Sequence, residues 1–300
     1  MSGVRVMAQA KVNLSLRILA RETSGYHQIE TLFQRLALAD VVTVREAATN
    51  SLDVRFGDAA RATDLGPTEQ NLAWRAAAAY TAVAGWPRAF AIEIEKWIPV
   101  GGGLGGGSAD AAAVLRALDA MAPRPLGSDA LIDLAARLGA DVSFLASDAE
   151  LAMAWGRGER VLRLPPLPPA GVLLVIPDFG INTGWAYGEL AAHREASHQT
   201  PAAKQHVLPA LAHWDGIAAD AVNDFEVVVF ERYPQLATVR AQLAALPRTI
   251  LARMSGSGST LFAVQETEAT GAAPVGGLAL PTGWRFVRTT THTPLGVEPA

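Results

Sequence analysis

The 300-residue sequence contains no cysteine. That excludes disulfides, thiolate-bound zinc and a cysteine nucleophile. It also lacks a basic excess: 25 Lys and Arg stand against 29 Asp and Glu, for a net charge of -4. A protein that binds nucleic acid generally must neutralise many phosphates, so no nucleic-acid partner is expected. No run of eighteen apolar residues occurs, so no membrane span is expected either. Met1–Val12 lacks the apolar stretch of a secretory leader, and a cytoplasmic location is expected. Aromatics make up only 7% of the chain, but half of it is hydrophobic and 18% is charged. This is a globular composition, long enough for one large domain or two average ones.

The patterning runs through strands and helices in blocks. Alternating Val12, Leu14, Leu16 and Ile18 predict a strand over Val4–Leu19. Further extended segments are expected at Leu32–Leu38, Val41–Arg45, Leu52–Phe56 and Phe90–Glu95. Ala-rich Asn71–Val83 reads as a helix stopped by Gly85 and Pro87. A helix over Ala109–Met121, with Ser108 as its N-cap, and another over Asp129–Leu138 follow. The prolines of Leu164–Pro169 can continue neither a helix nor a central strand. They divide the chain into lobes at 1–163 and 164–300. In the second lobe a strand is expected at Gly171–Ile176. Helices are expected at Trp185–Arg194, Lys204–Ala212, Phe225–Tyr233 and Ala237–Ala245, and strands at Ile250–Arg253 and Leu261–Val264. Runs of strands with helices in pairs argue for α+β layers rather than regular βαβ alternation.

The segment richest in chemistry is Pro99–Ala113, in which six of the seven residues from Gly101 to Gly107 are glycine. Glycines running from a strand into a helix allow backbone N–H groups to converge on an anion, helped by the helix dipole. Such a site needs no basic side chain, which suits an acidic protein. Gly101, Gly103 and Gly106 fit a dinucleotide fingerprint, but the second strand of a βαβ unit is missing downstream. Gly107-Ser108 lacks the lysine of a Walker loop. A plain flexible loop would not need its place between strand and helix. What remains is a phosphate loop of another class.

Three segments in order, Ala10-Lys-Val-Asn-Leu14, Pro99–Ala113 and Arg253-Met-Ser-Gly-Ser-Gly-Ser-Thr260, resemble the three motifs of the GHMP kinases. Within that superfamily, Gly25-Tyr-His27, Glu30-Thr-Leu-Phe33, Leu138-Gly-Ala-Asp-Val142 and Val222-Asn-Asp-Phe-Glu226 resemble the members whose acceptor alcohol carries a cytidine diphosphate. The resemblance spans about Met7 to Val264. It implies a kinase that moves the γ-phosphate of ATP, with Mg²⁺, onto a small-molecule alcohol, acting as a monomer or weak homodimer. It also implies an N-terminal lobe like ribosomal S5 domain 2 and a ferredoxin-like C-terminal lobe. Alternatives are a homoserine- or mevalonate-type kinase of the same fold, in which Tyr26-His27 would have no purpose, and a non-catalytic nucleotide-binding module.

The resemblance gives Asp141 the role of catalytic base and Lys11 that of its charge partner. On their own, these residues would read as a turn aspartate and a snorkelling strand lysine. It assigns nucleotide contacts to Pro99, Val100, Gly101, Gly102, Gly103, Leu104, Gly105, Gly106, Gly107, Ser108 and Ala109. Asn71 and Lys96 would line the adenine pocket. Acceptor contacts would come from Asn13, Tyr26, His27, Thr183, Tyr187, Gly256 and Ser257, with Tyr26-His27 holding the cytosine and Tyr187 covering its other face. Asp110 reads as a structural residue in the first helical turn, with a metal role left open, and no motif names the metal's ligands. Two departures stand out. Ser143 replaces a proline common in the family, which implies a looser catalytic loop. Gly271 and Pro274 interrupt Glu268–Gly277, where relatives carry a charged helix.

Overall fold

A computed structural model describes residues 3–23, 25–57, 63–201, 208–266, 277–291 and 296–300. Its first half is organised by two long antiparallel strands, β1 (Gly3–Arg21) and β2 (His27–Glu46). After β3 (Ser51–Phe56) come α1 (Leu72–Ala84), β4 (Phe90–Lys96), α2 (Gly106–Met121), α3 (Ser128–Leu138) and α4 (Ala140–Ala146). The hairpin β5 (Leu151–Gly156) and β6 (Arg160–Leu164) follows. The edge of β2 that faces away from β1 is shared. Its C-terminal half pairs with β4 and its N-terminal half with β5. The segments expected separately at Leu32–Leu38 and Val41–Arg45 are therefore one strand.

The second sheet is formed by β7 (Ala170–Ile176) and later strands, with α5 (Thr183–Ala196), α6 (Leu208–Leu211), α7 (Trp214–Asp220), α8 (Glu226–Arg232) and α9 (Pro234–Ala245) between them. β8 (Thr249–Met254), β9 (Leu261–Glu266) and β10 (Arg285–Thr290) complete it in the order β10-β7-β9-β8, antiparallel throughout. Numbered within the lobe this is 4-1-3-2, the order of a ferredoxin-like sheet. The final strand, β11 (Val297–Pro299), leaves that lobe and pairs with β1 at Val4–Val6. The division at 163 and 164 therefore fails for these last residues, which belong to the first sheet.

Period-2 alternation decides which core each face of β7 joins. Val172 and Leu174 enter the larger core with α1 and α2. Leu173 and Val175 enter a second core with α5, α8 and α9. Several expectations need correction. Ser108 is not a cap: α2 begins at Gly106, with Gly105 at the N-cap. Ser143 lies buried inside α4 rather than in a loop. Of the helix expected at Lys204–Ala212, the described residues show Leu208–Leu211, and its beginning lies outside them. Residues 268–276 also lie outside the described residues.

Candidate active site

The glycine loop is wedged between β1 and a second loop at Ser255–Thr260. Lys11 donates its backbone N–H to Leu104 O at 3.0 Å, and Thr260 N donates to Gly102 O at 3.2 Å. The Ser255 hydroxyl donates to Gly103 O at 2.8 Å. Two glycines are required for this fit. Gly103 has φ +78, and a Cβ there would lie 2.1 Å from Ser255 O. Gly105 has φ +73, and its Cβ would press on the Lys11 stem at 3.1 Å. Both conformations disfavour any other residue. The loop, with Asn71, Lys96 and Asp110, lines a cavity of about 380 Å³. Pro99 to Ser108 all contribute to the lining, while Ala109 is buried in the core instead. Asn71 is the N-cap of α1, its Oδ1 accepting from Ala73 N at 2.9 Å.

Lys96 is more constrained than a free adenine-pocket cation. It is 3% exposed and held between two carboxylates, Asp40 and Asp110, the latter at 2.7 Å. Burial lowers its pKa, but Asp110 and Asp40 outweigh burial and raise it. The other oxygen of Asp40 accepts from Trp97 N at 2.5 Å and Ile98 N at 2.7 Å. The triad thus ties the end of β4 to the second turn of α2 beneath the loop. Burial, reinforced by the charge of Asp40 and opposed by Lys96, pushes the Asp110 carboxyl up to about 7.

Lys11 and Asn13 are two residues apart on β1 and so share a face. Lys11 Nζ donates to Asn13 Oδ1 at 2.7 Å and lies 3.2 Å from Asp141 Oδ2. The Phe33 ring lies 5.3 Å from the ammonium. Asn13 Nδ2 donates in turn to Thr31 Oγ1 at 2.8 Å. The lysine side chain is 4% exposed and the aspartate 31%, so the carboxylate remains accessible. Asp141 sits in the first turn of α4 and not at the end of a helix, as its place after Leu138 and Gly139 implied. The opposite end of α4 is gripped by the fully buried Arg35, which donates to Phe144 O, Ser147 O and Ala149 O at 3.0–3.1 Å. Burial lowers the Arg35 pKa to about 9. Nothing in the local sequence singled Arg35 out, because its partners lie far down the chain.

The residues expected on the acceptor side come from both lobes. The rings of His27 and Tyr187 stack at 4.5 Å with an interplanar angle of 15°. Tyr26 is 60% exposed, and the Arg157 guanidinium covers its ring at 4.2 Å. Tyr187 therefore faces His27 and not Tyr26. Burial, with the charge of Asp141 adding to it, pushes the Tyr187 hydroxyl up to about 12. Burial and the charges of Arg21 and Arg194 hold His27 below its ordinary value. Thr183 Oγ1 hydrogen-bonds Ser257 Oγ at 2.8 Å, joining the start of α5 to the second loop. Gly256 adjoins Asn13 across that loop: its Cβ position would lie 3.6 Å from Asn13 Oδ1. Ser255 bridges the two loops, and nothing in the local Gly-Ser run separates it from Ser257.

Residues 71–148 match the family described as GHMP kinases N terminal domain, and residues 201–273 match GHMP kinases C terminal. A 4-diphosphocytidyl-2-C-methyl-D-erythritol kinase of Pelotomaculum thermopropionicum is 37% identical over 261 residues, covering 86% of this chain and 88% of that protein. A crystal structure of 4-(cytidine 5'-diphospho)-2C-methyl-D-erythritol kinase superposes with a TM-score of 0.69 at 34% identity, over 87% of this chain and 89% of the other. Homoserine kinase from Cytophaga hutchinsonii shares the fold, with a TM-score of 0.66 at 16% identity over 99% of this chain and 97% of its own.

Proposed function

As this chain belongs to the GHMP kinases, in the 4-diphosphocytidyl-2-C-methyl-D-erythritol kinase family, we propose that it transfers the γ-phosphoryl group of ATP to the 2-hydroxyl of that cytidyl alcohol. The reaction belongs to the methylerythritol phosphate route to isopentenyl diphosphate. The observation that carries this reading is the Lys11–Asp141 pair at 3.2 Å, on a strand whose backbone holds the glycine loop at Leu104.

In this mechanism the loop N–H groups and the start of α2 hold the phosphates of ATP. Asp141 accepts the proton of the acceptor hydroxyl as its oxygen attacks the γ-phosphorus. The bond from phosphorus to the β-bridging oxygen breaks, and ADP leaves. Lys11, 3.2 Å from that carboxylate, offsets the negative charge that builds up during transfer. Asn13 orients the Lys11 ammonium and the acceptor's polar end. Magnesium supplies charge neutralisation on the phosphates. Among the described residues no group of three or more His, Asp or Glu side chains converges to hold a metal ion. On the acceptor side, His27 supplies an imidazole for the cytosine with the Tyr187 ring stacked behind it, and Thr183, Gly256 and Ser257 border the rest.

The test is ADP release from ATP and Mg²⁺ with the cytidyl alcohol, and with homoserine and mevalonate as controls. Turnover with the cytidyl alcohol alone is expected. Turnover only with a control would remove the acceptor assignment, and no turnover with any of them would remove the kinase reading.

A further inference from the structure

The motif Val222-Asn-Asp-Phe-Glu226 has no part in the chemistry above, yet it touches β1, the second loop and α5 on the acceptor side. Its backbone runs beside β1: Leu16 N donates to Val222 O at 2.7 Å, and Asp224 N donates to Leu16 O at 3.0 Å. Asn223 Nδ2 donates to Met254 O and Gly256 O at 2.7 and 2.8 Å, fixing the second loop. Phe225 meets the Tyr187 ring edge-on at 4.9 Å. Asp224 Oδ2 accepts from Ile18 N at 2.8 Å and from Arg194 at 2.7 Å, and Arg194 donates its other terminal nitrogen to Ile18 O at 2.7 Å.

Arg194 and Asp224 therefore clamp both sides of one residue of β1. Arg194 lies two helical turns after Tyr187 on α5, while His27 opens β2 opposite Arg21 at the far end of β1. Tyr187 and His27 belong to different lobes, and this clamp ties α5, which carries Tyr187, to β1, the strand paired with the β2 that carries His27. Charge-assisted bonds in a fork are among the stronger and more directional hydrogen bonds. The ion pair is only 17% and 22% exposed, so water screens it less than a surface pair. Arg194, Tyr187 and His27 also line one cavity of about 540 Å³.

We propose that Arg194 and Asp224 are positioning residues of the acceptor pocket: by gripping the Ile18 peptide from the second lobe, they hold Tyr187 face to face with His27. This rests on the reading of that pair as the acceptor's base site. A ring pair split between lobes has no covalent reason to stay aligned, and small displacements of positioning groups cost large factors in rate. The brace keeps the pair aligned without touching the glycine loop.

The experiment compares wild type, Arg194→Lys, Arg194→Met and Asp224→Ala as full chains. Steady-state kinetics gives KM for the cytidyl alcohol and for ATP. Proton NMR of the ligand-free protein reads the ring-current shift and titration of His27, assigned with His27→Gln. In Arg194→Met, the acceptor KM is expected to rise about tenfold while the ATP KM stays within about twofold. The upfield shift of the His27 ring protons is expected to shrink. The His27 pKa is expected to rise, because one of its two cationic neighbours is gone and the ring is less buried. Arg194→Lys, which keeps the charge but has a single donor nitrogen in place of the two that grip Ile18 O and Asp224, should fall between. An unchanged His27 shift in both Arg194→Met and Asp224→Ala, or an equal rise of both KM values, would overturn the brace. The NMR readout needs no acceptor. If wild type fails to turn over the cytidyl alcohol, only the acceptor assignment falls.

Discussion

On the nucleotide side, residues 99–107 belong to one lobe and offer backbone. The loop is shaped by glycines that leave no room for a Cβ, with Gly103 against Ser255 O and Gly105 against Lys11. On the acceptor side, side chains do the work, and they come from distant elements: His27 from β2, Tyr187 and Thr183 from α5, Ser257 from the second loop. The difference teaches how each site can fail. A backbone cradle is lost when a glycine at a positive-φ contact, such as Gly103 against Ser255 O, gains a side chain. A side-chain site tolerates changes at its members but depends on the lobes staying in register.

The strongest way to sharpen this contrast is Asp141→Asn, which removes the base where the two sides meet. A fall in kcat of about 10²–10⁴ is expected, with ATP affinity unchanged because the carboxylate acts in the transition state. Fluorescent-nucleotide titration beside stopped-time kinetics checks both, and an unaltered kcat would take Asp141 out of its role. Next in size is Gly103→Ala. A Cβ 2.1 Å from a carbonyl oxygen at φ +78 forces the loop apart from Ser255, with strain of about 1–3 kcal/mol. ATP KM should rise by at least about tenfold and the melting temperature should drop. A variant with wild-type ATP KM would show that the cradle is not set by this contact.

Tyr187→Ala is expected to have a smaller and one-sided effect: acceptor KM up by about tenfold, within the range of one lost aromatic contact, and ATP KM unchanged. Tyr26→Ala should do less, since that ring is largely exposed and packs on Arg157. If Tyr26→Ala proves the more damaging, the base lies against Tyr26, and the His27–Tyr187 stack must open to admit it.

The same division governs what could be read from the residues alone. The glycine run announces its site because few other roles need so many positive-φ positions between a strand and a helix. Lys11 and Asn13 are legible as a same-face pair from the period of β1. α4 was hidden because Gly139 reads as a helix stop and the seven residues after it are too few to show a period. Lys96 and Arg35 show the limit on the polar side. One is caught between Asp40 and Asp110, the other on the carbonyls ending α4, and neither set of partners is near in sequence. The stacking of Tyr187 on His27 depends on how two lobes pack, which no local pattern encodes.

The smallest expected effect tests whether the Lys96 triad is purely structural scaffolding under the cradle. Asp110 has one carboxylate oxygen without a partner, and its folded pKa is raised from 3.8 to about 7, first by burial and then by the charge of Asp40. A raised pKa means the folded chain keeps a proton that the unfolded chain gives up. Its contribution to stability is present below about pH 4 and is lost as pH rises toward 7. Asp110→Asn cannot titrate, so it escapes that loss while still offering Lys96 an oxygen. The melting temperature of the variant relative to wild type should therefore climb between pH 4 and pH 7 and then level off. A difference that stays flat across this range would mean that Asp110 is ionised throughout, so that Lys96 and the two carboxylates carry one net negative charge. In that case the cradle rests on a fixed ion triad, and its backbone character extends to a support that pH does not move.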